Sequence, residues 1–162
     1  MKLDSPPSIV VIGSINADLV ATVDRLPYRG ETITATTLHQ HLGGKGANQA
    51  VATAKLGSKV TMVGCVGDDD AGRKAIWGLE QVGVNHRHVQ VVSNIPTGTA
   101  LITVDNHGDN TIVVVPGAND KMTRACIERI QGDVATAHAV LLQLEIPNEV
   151  VLSAIEMINK RR

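Results

Sequence analysis

The pattern of apolar runs and glycine turns along these 162 residues predicts an α/β protein. The expected architecture is a three-layer α/β/α sandwich around a parallel sheet, with a small antiparallel β lid. Three observations carry this. Residues 8–14, 59–66 and 139–144 are short runs apolar at nearly every position, as in strands buried on both faces of a parallel sheet. Between and after them lie stretches apolar at i, i+3, i+4 and i+7, the face of a helix packed on such a sheet. Residues 19–40 and 97–116 instead alternate apolar and polar, as strands with one wet face do.

Taken in order, residues 8–14 (SIVVIGS) supply the first buried strand, and GSINAD follows from Gly13. Asn16 and Asp18 are two apart, so in an extended segment both project to one side, just past the carboxyl end of a buried strand. Open α/β sheets take their ligands there. An Asx turn, in which either side chain bonds its own backbone, accounts for the pair equally well. Val20 and Thr22 then alternate with Ala21 and Val23, and Thr32, Thr34 and Thr36 with Ile33 and Ala35, around an interrupting LPYRG, which reads as a peripheral flap.

The most informative stretch is 41–57, HLGGKGANQAVATAKLG. Gly43 and Gly44 open a helix whose face is Ala47, Ala50, Val51 and Ala54, with Gly57 at the C-cap position. Glycines at a helix start permit φ > 0 and close backbone approach, and the first helical N–H groups there are unpaired. Lys45 and Asn48 lie one turn apart near that end. The result is a donor-rich concavity suited to sugar hydroxyls or an anion. A tight turn with a solvated lysine is the plainer alternative. The stretch is not a P-loop, because His39 stands at the first glycine position and Gly46 follows Lys45, and no GxGxxG follows the first strand.

Residues 59–66 form the second buried strand, and Gly67-Asp68-Asp69-Asp70 leads into a helix with Ala75, Ile76, Leu79 and Val82 inward and Gly83 at its end. The three aspartates read as a cap complementing the helix dipole rather than as a metal site. Residues 86–92 are a short edge strand. His39/His41 and His86/His88 each share a strand face but have no accompanying ligand spacing, so they read as solvated. Asn106-His107-Gly108-Asp109 is a hairpin turn between 97–105 and 110–116, a second antiparallel ribbon that joins the first flap. Residues 116–119 (PGAN) close it, and 123–130 form a helix with Thr123 as its cap. The third buried strand, 139–144, ends at Glu145, a carboxylate at the ligand rim or a capping group for the last helix. That helix turns Val151, Ala154, Ile155 and Ile158 inward and ends in Lys160-Arg161-Arg162.

Composition narrows the function. The chain is 43% hydrophobic but has one Trp, one Tyr and no Phe, so the core is aliphatic and base-stacking platforms are missing. A net charge of −1 gives no basic footprint for nucleic acid or a membrane surface, leaving small molecules or proteins as partners. MKLDSPPS has no apolar leader core, and no run approaches the ~18 apolar residues of a membrane span. Cys65 and Cys126 form no CxxC pattern and read as reduced thiols, so a cytoplasmic location is expected.

GSINAD at Gly13, GETIT at Gly30, GGKGANQA at Gly43, GDDDAG at Gly67, TGTALI at Thr97, GAN at Gly117 and QLE at Gln143 together resemble the ribokinase/phosphofructokinase-B family of carbohydrate kinases, in its ribose-phosphorylating branch. The resemblance runs along the whole chain, and GGKGANQA is its most specific motif. It implies the family's sandwich and lid, and ATP-dependent phosphorylation of the 5-hydroxyl of a pentose, with magnesium and a monovalent cation, potassium, as cofactors. By matching position, it implies that Asn16, Asp18, Gly43, Gly44, Lys45 and Asn48 contact sugar hydroxyls. Glu145 would close the pocket, and Ala100, Ile102 and Ile112 would be lid residues over the sugar face. It also implies a homodimer through the lid. The family's GAGD-type motif, which carries the general base and the anion hole, does not occur in these residues. The chain is therefore expected to be the N-terminal, sugar-binding half, truncated mid-sheet, without the ATP-binding half and inactive alone. A non-catalytic sugar-binding or dimerisation module is the alternative.

Overall fold

The structure, a computed structural model, describes residues 5–160, so Arg161 and Arg162 of the expected helix end lie outside the described residues. Its strands are β1 (Ser8–Ile12), β2 (Asn16–Thr22), β3 (Thr37–Gly43), β4 (Lys59–Gly67), β5 (Asn85–Val92), β6 (Gly98–Val104), β7 (Asn110–Val115) and β8 (Ala139–Leu142). The helices are α1 (Lys45–Lys55), α2 (Asp70–Gln81), α3 (Arg124–Glu128), α4 (Gln131–Thr136) and α5 (Asn148–Asn159), with a 3-10 turn at Gly117–Lys121.

The strands β5, β4, β1 and β8 form a parallel sheet in that spatial order. Alternation along β1 and β4 sends Val11, Val60, Met62 and Val66 to one face, where they pack with Ala47 and Ala50 of α1 and Ala75 and Leu79 of α2. Val10, Ile12, Val63 and Cys65 go to the other, against Ile127 of α3, Val134 of α4 and Val150, Val151 and Ala154 of α5. That is the expected three-layer sandwich, with an aliphatic core on both faces. As the sequence implied, Asp69 caps α2, accepting from the Gly72 amide at 2.8 Å, and Gly44, Gly57, Gly83 and Gly108 all take positive φ.

The lid is a second four-stranded sheet, β3-β2-β6-β7. Its two hairpin-like pairs are antiparallel as expected, but they join through a parallel β2–β6 seam, so the lid sheet is mixed. The seam follows from geometry: β2 and β6 both leave the same end of the main sheet. Thr97, just before β6, is fixed there by bonds to Asp69, its amide at 2.8 Å and its hydroxyl at 2.6 Å.

Several boundaries differ from the sequence reading. Thr32–Thr36 are not a strand. Arg25 pairs with Glu31, the Tyr28 amide also donates to Glu31, and Thr36 turns the chain by bonding the Thr22 carbonyl, so β3 starts at Thr37. The expected helix over 123–130 is shorter, α3 ending at Glu128 before a turn at Arg129 and Ile130, and α4 follows as a further helix that the sequence reading did not assign. β8 stops at Leu142 and is half-buried, since it sits at the sheet edge with β1 as its strand partner among the described residues. On α5 the inward face is Val150, Val151 and Ala154, while Ile155 is 42% exposed. His88 is not solvated but pairs with Asp133 at 3.0 Å.

Two glycines should respond oppositely to alanine. A Cβ on Gly46 would meet the Gly13 carbonyl carbon and the Ser14 oxygen at 2.7 Å each, whereas one on Gly132, in α4, meets nothing within 4 Å. Thermal melts should show Gly46→Ala destabilised by about 1–3 kcal/mol, and Gly132→Ala stabilised by about 0.4–1 kcal/mol.

Candidate functional site

The site forms where β2, the amino end of α1 and the segment after β8 converge at the carboxyl edge of the parallel sheet. The connection Gly13–Ile15 is its floor. The Ala47 amide donates to the Ser14 carbonyl at 3.0 Å, seating the start of α1 on it. Gly44 has φ 87, and a Cβ there would lie 2.7 Å from the Ser14 oxygen and 2.8 Å from the Asn16 nitrogen. Only glycine permits both the left-handed backbone and that approach. Gly43 serves differently: a Cβ would fall 2.1 Å from the Asp18 carboxylate, so its bareness gives that carboxylate its place.

Asn119, on the 3-10 turn and 2% exposed, fixes the floor. Its side-chain oxygen accepts the Ile15 amide at 2.9 Å, and its side-chain nitrogen donates to the Ile15 carbonyl at 3.1 Å and to Asn16 Oδ1 at 2.7 Å. With its oxygen engaged, Asn16 is left with its amide N–H groups to offer a ligand. Ser14 and Glu145 complete the frame. Ser14 Oγ donates to Glu145 Oε2 at 2.7 Å, the Lys45 amide donates to the same oxygen at 3.2 Å, and the Lys45 ammonium pairs with Oε1.

The two carboxylates sit in opposite electrostatic settings. Burial alone would push Glu145 up, but the bonds from the Lys45 side chain, Ser14 and the Lys45 amide together hold it below its ordinary 4.5. Asp18 is pushed above its ordinary 3.8, first by burial and then by the Glu145 charge, against the pull of His41 and Lys45. Its Oδ1 is buried and lacks a hydrogen-bond partner among the described residues. A buried acceptor left in that state is costly unless a ligand satisfies it.

The structure brings most sequence-predicted residues together. In register, Asp18 pairs Ala100, and Val20, Ile102 and Ile112 stand in the adjacent row, so Ala100, Ile102 and Ile112 share the lid face that carries Asn16 and Asp18. Asn48 is exposed on the first turn of α1, its backbone amide donating to the Gly44 carbonyl at 2.9 Å. A cleft of about 380 Å³ opens beside the floor, lined by Ser14, Asn16, Asn119, Val114 and Glu145. A larger cleft, about 670 Å³, lies between α3, α4 and α5 with Arg124, Glu128 and Met157 on its walls, and contains none of the motif residues. Ser14 and Asn119 are the organisers that sequence reasoning passed over. The GAN motif was the available signal for Asn119, while nothing in the sequence links it to Ile15 across 104 positions.

Residues 6–162 match the pfkB family carbohydrate kinase domain. The chain is 46% identical to the ribokinase of Bacillus subtilis over 144 residues, covering 89% of this chain and 49% of that protein. Its fold superposes on ribokinase from Giardia lamblia with a TM-score of 0.89 at 34% identity, over 97% of this chain and 47% of the other. Against Arabidopsis thaliana ribokinase complexed with ribose and ATP the TM-score is 0.80 at 38% identity, over 97% and 51%. The chain belongs to the pfkB family of carbohydrate kinases and has the ribokinase-like α/β fold. It spans about half the length of the relatives it matches.

The two carboxylates predict opposite stability signatures. A raised Asp18 favours the native state below its unfolded value and loses that contribution as pH rises through the native value, so Asp18→Asn should raise the melting temperature at pH 7 and not at pH 3. A lowered Glu145 stabilises above its unfolded value and loses this as pH falls through the native one, so Glu145→Gln should lower the melting temperature at pH 7 and flatten the acid limb. Melting curves of both variants across pH check the pair.

Proposed function

We propose that these residues are the sugar-binding half of a ribokinase-type carbohydrate kinase, which holds ribose for ATP-dependent phosphorylation of its 5-hydroxyl. The observation that carries the reading is the buried, unpartnered Oδ1 of Asp18 beside the donor end of Asn16. A sugar hydroxyl is donor and acceptor at once, so a carboxylate and an amide N–H together satisfy a vicinal diol. Lys45 and the backbone at Gly43 and Gly44 border the same space, Glu145 closes it, and Asn48 joins them from the first turn of α1. Ala100, Ile102 and Ile112 offer the apolar surface that a sugar ring's C–H face packs against. The Arabidopsis ribokinase solved with ribose and ATP has this fold, which supports the assignment.

The residues present do not themselves build a site for the phosphoryl donor. The 162 residues contain neither a P-loop nor a GAGD-type turn. Their part in the reaction is to bind and orient the sugar, and the polypeptide of these residues alone transfers no phosphoryl group from MgATP.

A second role is supported by the far side of the lid. Leu38, Leu101, Val113 and Val115 share the face opposite Asp18 and are 45–68% exposed, an apolar strip suited to a second copy of the chain. Light scattering should find a dimer that Leu101→Glu with Val113→Glu converts to monomer; a monomeric parent removes this role.

Calorimetric titration with D-ribose tests the main reading. Saturable binding should weaken about 10- to 100-fold in Asp18→Ala, the loss of a hydrogen bond to a charged acceptor. A deoxy analogue lacking the bonded hydroxyl should weaken similarly. Binding unaffected by Asp18→Ala, or none at millimolar ribose, contradicts the reading.

A further inference from the structure

The edge strand of the lid sets an imidazole against the unpartnered carboxylate. β2 and β3 run antiparallel with Asp18 directly opposite His41, Val20 opposite His39 and Asn16 opposite Gly43. Both histidines therefore stand on the face that carries Asp18, with their rings 6.0 Å apart. Directly opposed residues in such a pair hold their Cβ atoms about 4.5–5.5 Å apart, close enough for their charges to couple. We infer that His41 is a positioning residue for the sugar site: as an imidazolium across the strand pair, it holds Asp18 in the ionised form that accepts sugar hydroxyls.

Of the two cations around Asp18, His41 gives the larger support to its ionised form. Glu145, from the segment after β8, opposes ionisation, as burial does, while Lys45 of α1 and His41 of β3 favour it. Lys45 is already paired with Glu145. β6 and β7 present Ala100, Ile102, Ile112 and Val114 on this face, none of them charged. His39 is one row further along β3, opposite Val20. Lys74 of α2 lines a small cleft with His41, but its ammonium reaches the Gln40 side chain, at 3.4 Å. The cationic form of the imidazole favours the ionised form of the carboxylate that faces it. The consequence is that sugar binding survives to lower pH than the burial of Asp18 alone would permit. The coupling stands on the strand register; its effect on ribose rests on the sugar-site reading above.

The test follows the Asp18 carboxyl carbon by NMR in the ligand-free protein, at low ionic strength, in the parent chain and in His41→Ala, His41→Asn and His41→Lys. His41 is exposed at a sheet edge, so the variants should fold. Asp18 should titrate at higher pH in the alanine and asparagine variants and at or below the parent value with lysine. Unchanged titration in the alanine and asparagine variants, or a lysine variant that moves with them, overturns the inference. In a parallel ribose titration across pH, the acid loss of affinity should begin at higher pH in His41→Ala; a uniform weakening at every pH would assign His41 a packing role and overturn it. If the parent binds no ribose at any pH, the sugar-site reading fails while the carboxyl titration still decides the coupling.

Discussion

The site depends on a single side chain clamping backbone across the fold. Asn119 takes both the amide and the carbonyl of Ile15 and the side-chain oxygen of Asn16. Those groups lie in the link from β1 to β2, where the chain leaves the parallel sheet for the lid. Buried backbone groups must be paired somewhere, and no ladder reaches them at this crossing. One amide side chain thus satisfies the crossing, docks the 3-10 turn after β7 against it, and sets the orientation of Asn16. Asp18, two residues on, is placed by the same crossing through β2.

Around that clamp, the two carboxylates divide the work. Glu145 is fully engaged by Ser14 and by Lys45 through both backbone and side chain, and so ties the segment after β8 to the first turn of α1. Asp18 is half-buried, and its buried Oδ1 is unengaged, a cost that the rest of the fold sustains. One acid is committed to internal bonds, and the other keeps an open acceptor. The glycines belong to the same arrangement, since Gly43 leaves room for Asp18 and Gly44 lets α1 begin against Ser14.

Much of this was legible in the sequence because its signals were local. Periodicity found β1, β4 and the inward faces of α1 and α2, and spacing alone put Asn16 and Asp18 on one side of an extended segment. The helix start at GGKG was visible from its glycines. What escaped required knowing which distant segments meet. Threonine alternation over 32–36 imitates a strand, but an Arg25–Glu31 pair and a turn at Thr36 take that stretch out of the ladder. Ile155 fits a helical face by spacing, yet it stands half in solvent while Val151 and Ala154 on the same helix are buried. Ser14 and Asn119 have no periodic signature at all: their roles exist only once Glu145 and Ile15 have been brought to them from more than a hundred positions away.

The most direct measurement of the central claim is a crystal structure of the chain grown or soaked with D-ribose. The account predicts sugar density at the Asp18 face of the lid, with a hydroxyl within hydrogen-bond distance of Asp18 Oδ1, a neighbouring hydroxyl reached by the Asn16 amide, and the ring face against Ala100 and Ile102. Sugar seated elsewhere, or a ribose-saturated crystal in which Asp18 Oδ1 meets only water, would contradict it.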